Sequence, residues 1–258
     1  MSKPKRSLLL TLLASATVLV LGSWLSVYAA PQPVAYLTWY GQSCFLLEST
    51  TGTRVVMDPI PANIGYLPPA GLRADAVTIS HEHPDHNNLA LVHGKPKILR
   101  GLTPDKKGWM KIDEKVKDIS IRSVGVYHDS KQGAEIGLNT VFVFEVGGVR
   151  IAHLGDIGHT LTDQQISAIG SIDVVLVPVG GKWTVDAHKA TQIVDEIRPR
   201  LAAIPMHFRT DAVTIKDLDT VDGFLSGRSN VRRETKLRFA ITGFRSRPSA
   251  ETVVLRYQ

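Results

Sequence analysis

Cysteine is nearly absent from this chain of 258 residues, since Cys44 is the single one. An internal disulfide framework and any zinc module built on several cysteines are therefore excluded. Blocks of like charge are also missing, so the composition gives no support for general nucleic-acid binding. The formal net charge is +6, and half of it comes from the basic start of the chain, where no acidic residue balances it. We expect no nucleic-acid partner.

Internal repeats and low-complexity linkers are likewise missing from the sequence. With 43% hydrophobic and 21% charged residues, the composition is that of an ordinary globular core and not of a disordered chain. The length is compatible with one layered domain or with two small ones.

The first 30 residues have the pattern of an export signal. Basic residues precede an apolar run from Ser7 to about Leu25, and Ala29 satisfies the rule for a small residue before the cleavage point. We therefore expect residues 1–29 to be a signal peptide and residues 30–258 to form the mature domain, in the periplasm or outside the cell. The alternative is an uncleaved anchor formed by residues 7–27, which would bring the protein to a membrane.

The rest of the chain alternates between strand and helix patterns. A glycine pair at 147–148 predicts a hairpin, and Thr162 and Asp186 are predicted to cap two helices. A third helix is predicted around 215–225. Short apolar or alternating segments predict strands at 34–40, 44–48, 54–58, 76–80, 119–127, 140–145, 149–154, 174–177 and 201–205. Strand-rich halves with helices appended to each predict a single α/β sandwich, with two packed sheets and helices outside.

A histidine cluster follows one of the predicted buried strands directly. His81, His83, Asp85 and His86 lie within six residues, immediately after the apolar segment 76–80. A strand end followed by a turn can direct alternate side chains into one pocket, where ligands of two adjacent metals can converge. Imidazole nitrogens and carboxylate oxygens suit zinc, and also manganese or iron. The alternative is a polar surface turn or a passive histidine tract, but such tracts lack this placement.

Three more candidate ligands occupy the same kind of position. His128, Asp156 and His207 each come shortly after a predicted buried strand. Taken alone, each of them would more often be a hydrogen-bonded structural residue. Their shared position at strand ends makes them candidates for the same site.

Several other polar residues are weaker candidates for substrate contact. Asn139 could position the substrate or hold a loop, and His159 could be a pocket group or a backbone hydrogen bonder. His188 could lie at the pocket rim or cap a helix. Residues 182–184 could line the pocket mouth or form an exposed turn.

The order of these residues resembles that of the metallo-β-lactamase superfamily. The superfamily's ligand series is matched, over most of the mature chain, by His81-x-His83-x-Asp85-His86, His128, Asp156 and His207. The branch of small metal-dependent hydrolases that includes ascorbate-6-phosphate lactonase-like proteins is more similar still. This similarity rests on four short sequence segments, Gly-Leu-Asn-Thr (137–140), His-Leu-Gly-Asp (153–156), Val-Pro-Val-Gly-Gly (177–181) and Ile-Pro-Met-His (204–207).

The resemblance implies an αββα four-layer sandwich in a single domain, with a two-metal site at the strand ends. It implies that one metal is held by His81, His83 and His128, the second by Asp85, His86 and His207, and both by a bridging Asp156. Two close dications lower the pKa of a bridging water, so that hydroxide is available at neutral pH. Asp85 is the candidate catalytic residue, because a ligand carboxylate can orient the hydroxide and later carry a proton.

We therefore expect an exported hydrolase with two divalent metal ions, zinc by default, that cleaves an ester, lactone or phosphodiester bond in a small molecule. Hydrolysis of β-lactam antibiotics is not expected, since true metallo-β-lactamases lack the bridging aspartate that Asp156 would supply. One alternative is a membrane-associated phospholipase D-like phosphodiesterase, and another is a non-catalytic metal-binding protein of the cell envelope. The sequence leaves the oligomeric state open.

Overall fold

The structure, a computed structural model, describes residues 32–243 and 250–257 of the chain. The predicted signal peptide, residues 1–29, lies outside this part, so cleavage and anchoring both stay predictions. Within the described residues, no helix is both long and apolar enough to cross a bilayer.

Strands dominate the described part of the chain. In chain order they are β1 (Pro33–Gly41), β2 (Cys44–Ser49), β3 (Arg54–Met57), β4 (Leu72–Arg73), β5 (Ala76–Ile79), β6 (Val92–His93), β7 (Lys97–Arg100), β8 (Asp113–Val116), β9 (Ile119–Tyr127), β10 (Leu138–Val146), β11 (Val149–His153), β12 (Val174–Pro178), β13 (Ala202–Met206), β14 (Val231–Arg233), β15 (Arg238–Thr242) and β16 (Glu251–Val254). The α-helices are α1 (Asp163–Ile169), α2 (Ala187–Ile197) and α3 (Asp222–Leu225). Short 3₁₀ turns cover Ala62–Ile64 and Leu89–Leu91.

The strands form two large sheets that share one hydrophobic core, and a small third sheet. The six-stranded sheet has the order β15-β1-β2-β3-β5-β7, the eight-stranded sheet β14-β16-β13-β12-β11-β10-β9-β8, and the small sheet β4-β6. In the six-stranded sheet β3, β5 and β7 are parallel. In the eight-stranded sheet β11, β12 and β13 are parallel. Parallel neighbours end at the same edge of a sheet, so residues that follow them in the chain are brought together there.

Both faces of the six-stranded sheet are buried, and the alternation of the sequence assigns side chains to each. Phe45 and Leu47 of β2 pack into the core shared with the other sheet, whereas Cys44 and Leu46 lie in a second apolar cluster. This division arises because successive side chains of a strand point to opposite faces. Cys44 is therefore a buried apolar side chain, and burial raises the pKa of its thiol to about 12.

Helices α1 and α2 pack over the eight-stranded sheet, and α3 packs on α2. Helix α1 contacts β9, α2 contacts β12, and α3 contacts α2. The capping box predicted at Thr162 is confirmed, because its side chain accepts from the backbone N–H of Gln165 while the Gln165 side chain accepts from the Thr162 N–H. Asp186 caps α2 as predicted, accepting from the Lys189 N–H at 2.9 Å.

The outer face of the six-stranded sheet is covered by shorter elements. Ile64 from the first 3₁₀ turn, Leu72 and Val92 from the small sheet, and Val213 from a loop complete the second apolar cluster. The predicted α/β sandwich in a single domain is confirmed, and these elements form its layer on this side.

The helix predicted around 215–225 is wrong over most of its length, since only the four residues of α3 are helical. The preceding segment bonds to neighbouring loops instead of to itself. The Asp219 N–H donates to the carbonyl of Gly180, and the Asp219 carbonyl accepts from the Arg209 N–H. Leu218 and Val221 are nevertheless buried. Their apolar spacing therefore results from the burial of a loop and not from a turn of helix.

Candidate metal centre

The candidate site lies at the edge where strands from both sheets end. β5 leads through Ser80 into the histidine cluster, and β9, β11 and β13 lead into the other three candidates. The side chains that meet there are those of His81, His83, Asp85, His86, His128, Asp156 and His207. The structure thus brings together all seven side chains that the sequence predicted as ligands.

These donors form two groups around one carboxylate. One donor atom each from His81, His83 and His128 lies within 4.8 Å of the others, and the same holds for Asp85, His86 and His207. Asp156 Oδ2 stands between the groups. It lies 3.6 Å from Nε2 of His128 in the first group, and 3.1 and 3.3 Å from Nε2 of His86 and His207 in the second.

The buried imidazoles of this site lack the hydrogen bonds that buried polar groups normally make. Nε2 of His81, Nε2 of His86, both ring nitrogens of His128 and Nδ1 of His207 have no hydrogen-bond partner in the described part of the chain. An unpaired buried polar atom costs about 1–3 kcal/mol. Two of these nitrogens, Nε2 of His86 and Nε2 of His128, lie 3.1 and 3.6 Å from Asp156 Oδ2, an arrangement that fits the coordination of divalent metal ions.

Charge and burial determine the protonation states of the candidate ligand side chains. Burial lowers the pKa of His81 well below its ordinary value, and it also lowers the pKa of His83 and of His128, which favours the neutral form that binds metal. Burial acts the same way on His86, but the carboxylates of Asp156 and Asp85 outweigh it and raise its pKa well above the ordinary value.

Asp156 itself stays ionised. Burial favours its neutral form, yet His207 and His86 hold the pKa of Asp156 well below the usual range. Its Oδ2 lies 3.1 Å from Nε2 of His86, whose pKa is raised, and metal binding at that nitrogen would displace a proton from the ring.

Asp58 supports the histidine cluster, and the sequence analysis missed it. Its Oδ2 accepts from Nδ1 of His86 at 3.0 Å, and its Oδ1 accepts from the Ser80 N–H at 2.8 Å. The hydroxyl of Ser80 donates to Asp58, so it accepts from Nδ1 of His81 at 3.0 Å. Nε2 of both rings is thereby left free for a metal. Asp58 directly follows β3, next to β5, so the strand-end argument could have found it.

Asp58 also lies near His81 and His86 in a third possible ligand group. We assign it to support instead, because both of its oxygens already accept hydrogen bonds.

A second set of contacts holds the Asp156 carboxylate. Ser43 Oγ donates to Asp156 Oδ1 at 3.2 Å, and Asn139 Oδ1 accepts from the Asp156 N–H at 3.2 Å. Asn139 Nδ2 donates to the Leu154 carbonyl at 2.8 Å. Gly155, between Leu154 and Asp156 in the chain, has φ +54°, and a Cβ at this position would lie 2.4 Å from Asn139 Oδ1. Of the two roles considered for Asn139, its contacts are those of a residue that holds a loop.

The other weak candidates lie apart from the ligands. His159 accepts from the Tyr127 N–H at 3.1 Å and donates to the Thr160 carbonyl at 2.6 Å, which is a backbone-bonding role. His188 is exposed in the first turn of α2. Neither belongs to the described residues that line the cavity over the metal centre, so substrate contact by either stays a prediction without structural support.

A cavity of about 600 Å³ opens over the donor groups. His83, Asp85, His128, Asp156 and His207 form its polar floor. Its walls are mostly neutral and are made by Pro61, Asn63, Ile64, Pro84, Asn87, Asn88, Leu89, Trp183 and Ile215. Trp183 lines the cavity and is 40% exposed, which is consistent with a position at its mouth. Lys182 beside it pairs with Asp217 at 3.2 Å.

A two-sheet sandwich that gathers histidines and carboxylates at its strand ends defines a class of metal-dependent hydrolases, and comparison with known proteins agrees. The family model described as "Beta-lactamase superfamily domain" matches residues 36–207. A UPF0173 protein of Pyrococcus furiosus is 30% identical over 223 residues, which cover 73% of this chain and 98% of that protein. A UPF0173 metal-dependent hydrolase of Archaeoglobus fulgidus is 29% identical, covering 70% and 86%.

Solved structures give the same result. A protein of Thermotoga maritima, proposed to be a zinc-dependent hydrolase of the metallo-β-lactamase superfamily, superposes with a TM-score of 0.68 at 32% identity, covering 87% of this chain and 100% of that one. An isothiocyanate hydrolase from Delia radicum gut bacteria shares the fold alone, with a TM-score of 0.56 at 15% identity over 74% and 90% of the two chains. The chain belongs to the β-lactamase superfamily domain family and is a metal-dependent hydrolase of the metallo-β-lactamase superfamily. Its resemblance to the lactonase-like branch stays a prediction.

The loop after His128 depends on one carboxylate. Asp129 Oδ1 accepts from the N–H groups of Lys131 and Gly133, and Oδ2 accepts from those of Glu135, Ile136 and Gly137. Burial alone would raise the pKa of Asp129, but these backbone bonds lower it to about 2.

Asp129→Asn is expected to lower the free energy of unfolding at pH 7 by about 1–3 kcal/mol, because an amide cannot accept from all five N–H groups. Since the folded pKa of Asp129 is depressed, its contribution is complete above the unfolded pKa of about 4 and is lost as pH falls toward 2. Urea unfolding of both proteins at pH 7 and at steps below pH 4 measures this. A stability difference that does not shrink with acid would contradict the assignment.

Asp58→Asn is expected to weaken metal binding about 10–100-fold, since a neutral amide has one accepting oxygen for the three donors that Asp58 satisfies and so holds the His86 ring less firmly. Competition with a chelator measures the affinity. Asp75→Asn is the matched control, because Asp75 lies just before β5, at the other end of the strand, and bonds to Arg54 and Lys117 instead. Equal affinities for wild type and Asp58→Asn would rule out the supporting role.

Proposed function

We propose that the chain holds two divalent metal ions and hydrolyses an ester or lactone bond in a small, largely uncharged molecule. The observation that carries the proposal is the position of Asp156 Oδ2, within 3.6 Å of histidines from both donor groups. A carboxylate with that position can bridge two ions, whereas a single-metal site would leave one donor group without a function. Zinc is the first expectation for these ligands, and manganese or iron would also fit them.

The metal ligands and Asp85 would have different roles in hydrolysis. When bound, the ions would supply a water of lowered pKa and stabilise the negative charge that develops on the carbonyl oxygen when the carbonyl carbon is attacked. Asp85 lines the cavity, and its Oδ2 lies 3.5 Å from Nε2 of His86. Its side chain is about a quarter exposed, so it can take a proton from the attacking water and deliver it to the leaving oxygen.

The walls of the cavity support a carbonyl substrate over a phosphodiester. No lysine or arginine is among the described residues that line it, and phosphate groups are commonly held by such cations. Ile64, Leu89, Trp183 and Ile215 instead offer an apolar wall beside the ligands. An acyl or ring substituent of an ester or lactone would fit that wall.

Export is proposed from the first 29 residues, whose basic start, apolar run and Ala29 support it. The mass of the mature protein recovered from the expressing cell tests this, with cleavage after Ala29 as the expected result. An intact N-terminus would favour the anchor at residues 7–27.

The function is tested by metal content and hydrolysis together. Protein purified without chelators is expected to contain two metal ions per chain, falling to one or none in Asp156→Ala, which removes the bridging carboxylate. Wild type is expected to hydrolyse p-nitrophenyl esters and lactones with a higher kcat/KM than bis(p-nitrophenyl) phosphate, and a chromogenic cephalosporin least. Asp186→Ala is the control, because Asp186 caps α2 and is not among the cavity-lining residues described.

Three results would overturn the proposal in different ways. Wild type without metal would exclude the two-metal site. A preference for the phosphodiester would contradict the substrate class and favour the phospholipase D-like alternative. Two bound ions with no hydrolysis of any substrate tested would favour a non-catalytic metal-binding protein.

A further inference from the structure

Gln42, in the turn between β1 and β2, directs its carboxamide into the metal centre. The residue is fully buried. Its Nε2 lies 3.4 Å from Nε2 of His207, and its Oε1 has no hydrogen-bond partner. It therefore brings an unsatisfied polar group to the donors of the second metal. No residue of this turn belongs to the ligand series identified above.

The spacing around Gln42 is that of donor atoms sharing one ion. Nε2 of His86 lies 3.1 Å from Asp156 Oδ2 and 3.5 Å from Asp85 Oδ2, and Nε2 of His207 lies 3.3 Å from Asp156 Oδ2. Ligands about 2.0–2.1 Å from one ion are roughly 2.9–3.6 Å apart in a four- or five-coordinate site. The carboxamide of Gln42 meets His207 at the same separation.

The chemistry of Gln42 and His207 favours the carboxamide oxygen, and not its nitrogen, as the atom that faces Nε2 of His207. A histidine that binds metal through Nε2 has no lone pair left there for an amide N–H. A half-turn of the carboxamide exchanges its two ends, which have nearly the same shape. That half-turn places Oε1 beside His207 and gives the orphaned oxygen a cation to bind.

The backbone holds the turn in this position. Gln42 has φ 45°, which is uncommon for a residue other than glycine and costs of order 1–3 kcal/mol. Its carbonyl accepts from the N–H of His207 at 3.2 Å and from Nε1 of Trp39 at 2.9 Å. The same residue therefore faces His207 with both its backbone and its side chain, so the turn that carries the carboxamide is held beside His207.

We propose that Gln42 is a further ligand, through its carboxamide oxygen, of the ion held by Asp85, His86 and His207. The inference rests on the two-metal site proposed above. With Asp156 included, this ion has five protein donors, whereas the ion at His81, His83 and His128 has four. A neutral oxygen donor and a higher coordination number make the second site more favourable to manganese or iron than the first.

The test reconstitutes metal-free protein with cobalt(II) and measures both stepwise affinities by chelator competition, together with the visible spectrum. Gln42→Leu is expected to weaken one of the two affinities about 10–100-fold and leave the other unchanged, a range typical for losing a group that supports a metal. The absorption of the weakened ion should become more intense, because its coordination number falls. Gln42→Glu is expected to retain or tighten binding, since a carboxylate also offers an oxygen.

A matched control and a second variant keep the outcomes distinct. Gln192→Leu, at an exposed position of α2, should change neither affinity. If wild type binds two ions and Gln42→Leu binds both equally well with the same spectrum, Gln42 is not a ligand and the two-metal proposal stands. If Gln42→Glu weakens binding as much as Gln42→Leu does, the amide acts as a hydrogen-bond donor, and the inference is overturned. If wild type does not bind two ions, both proposals fail.

Discussion

The burial of Asp156 is the constraint on which the rest of the site depends. An ionised carboxylate in this position has to be balanced by nearby positive charge, and histidines from three different strand ends lie within 3.6 Å of its Oδ2. The same histidines have ring nitrogens with no other partner. Metal ions would satisfy the charge and the unpaired nitrogens at once, so that metal binding and the stability of this edge of the fold are coupled.

The two sheets supply different residues of the site around Asp156. The six-stranded sheet brings the histidine cluster together with its supports, because Asp58 follows β3 and His81 follows β5, and these neighbours are parallel. The eight-stranded sheet supplies Asp156 and His207 from β11 and β13. Close backbone approaches make the junction possible. A Cβ at Gly158 would lie 2.3 Å from the carbonyl of His128, so this turn tolerates only glycine.

Much of the architecture could be predicted from local patterns. The hairpin at the glycine pair and the caps at Thr162 and Asp186 depend on interactions within a few residues, and all are confirmed. Predictions were poorer where the pattern was weak or misleading. Strands such as β8 and β14 carry charged side chains at a sheet edge, so no apolar run marked them. The segment 215–221 has apolar spacing, but loop contacts decide its conformation.

The sequence by itself determined which side chains are available for metal chemistry and that they follow buried strands, because apolar runs and the histidine cluster are local properties of the chain. Only the tertiary structure decided how they are grouped. Asp58 is 28 residues from His86, and Gln42 is 165 residues from His207. Their roles as support and proposed ligand depend on strand pairing and on the packing of one sheet against the other. Contacts across such separations are set by the fold as a whole, so a strand-end position can mark Asp58 as a candidate, but no local pattern assigns the partner of either residue.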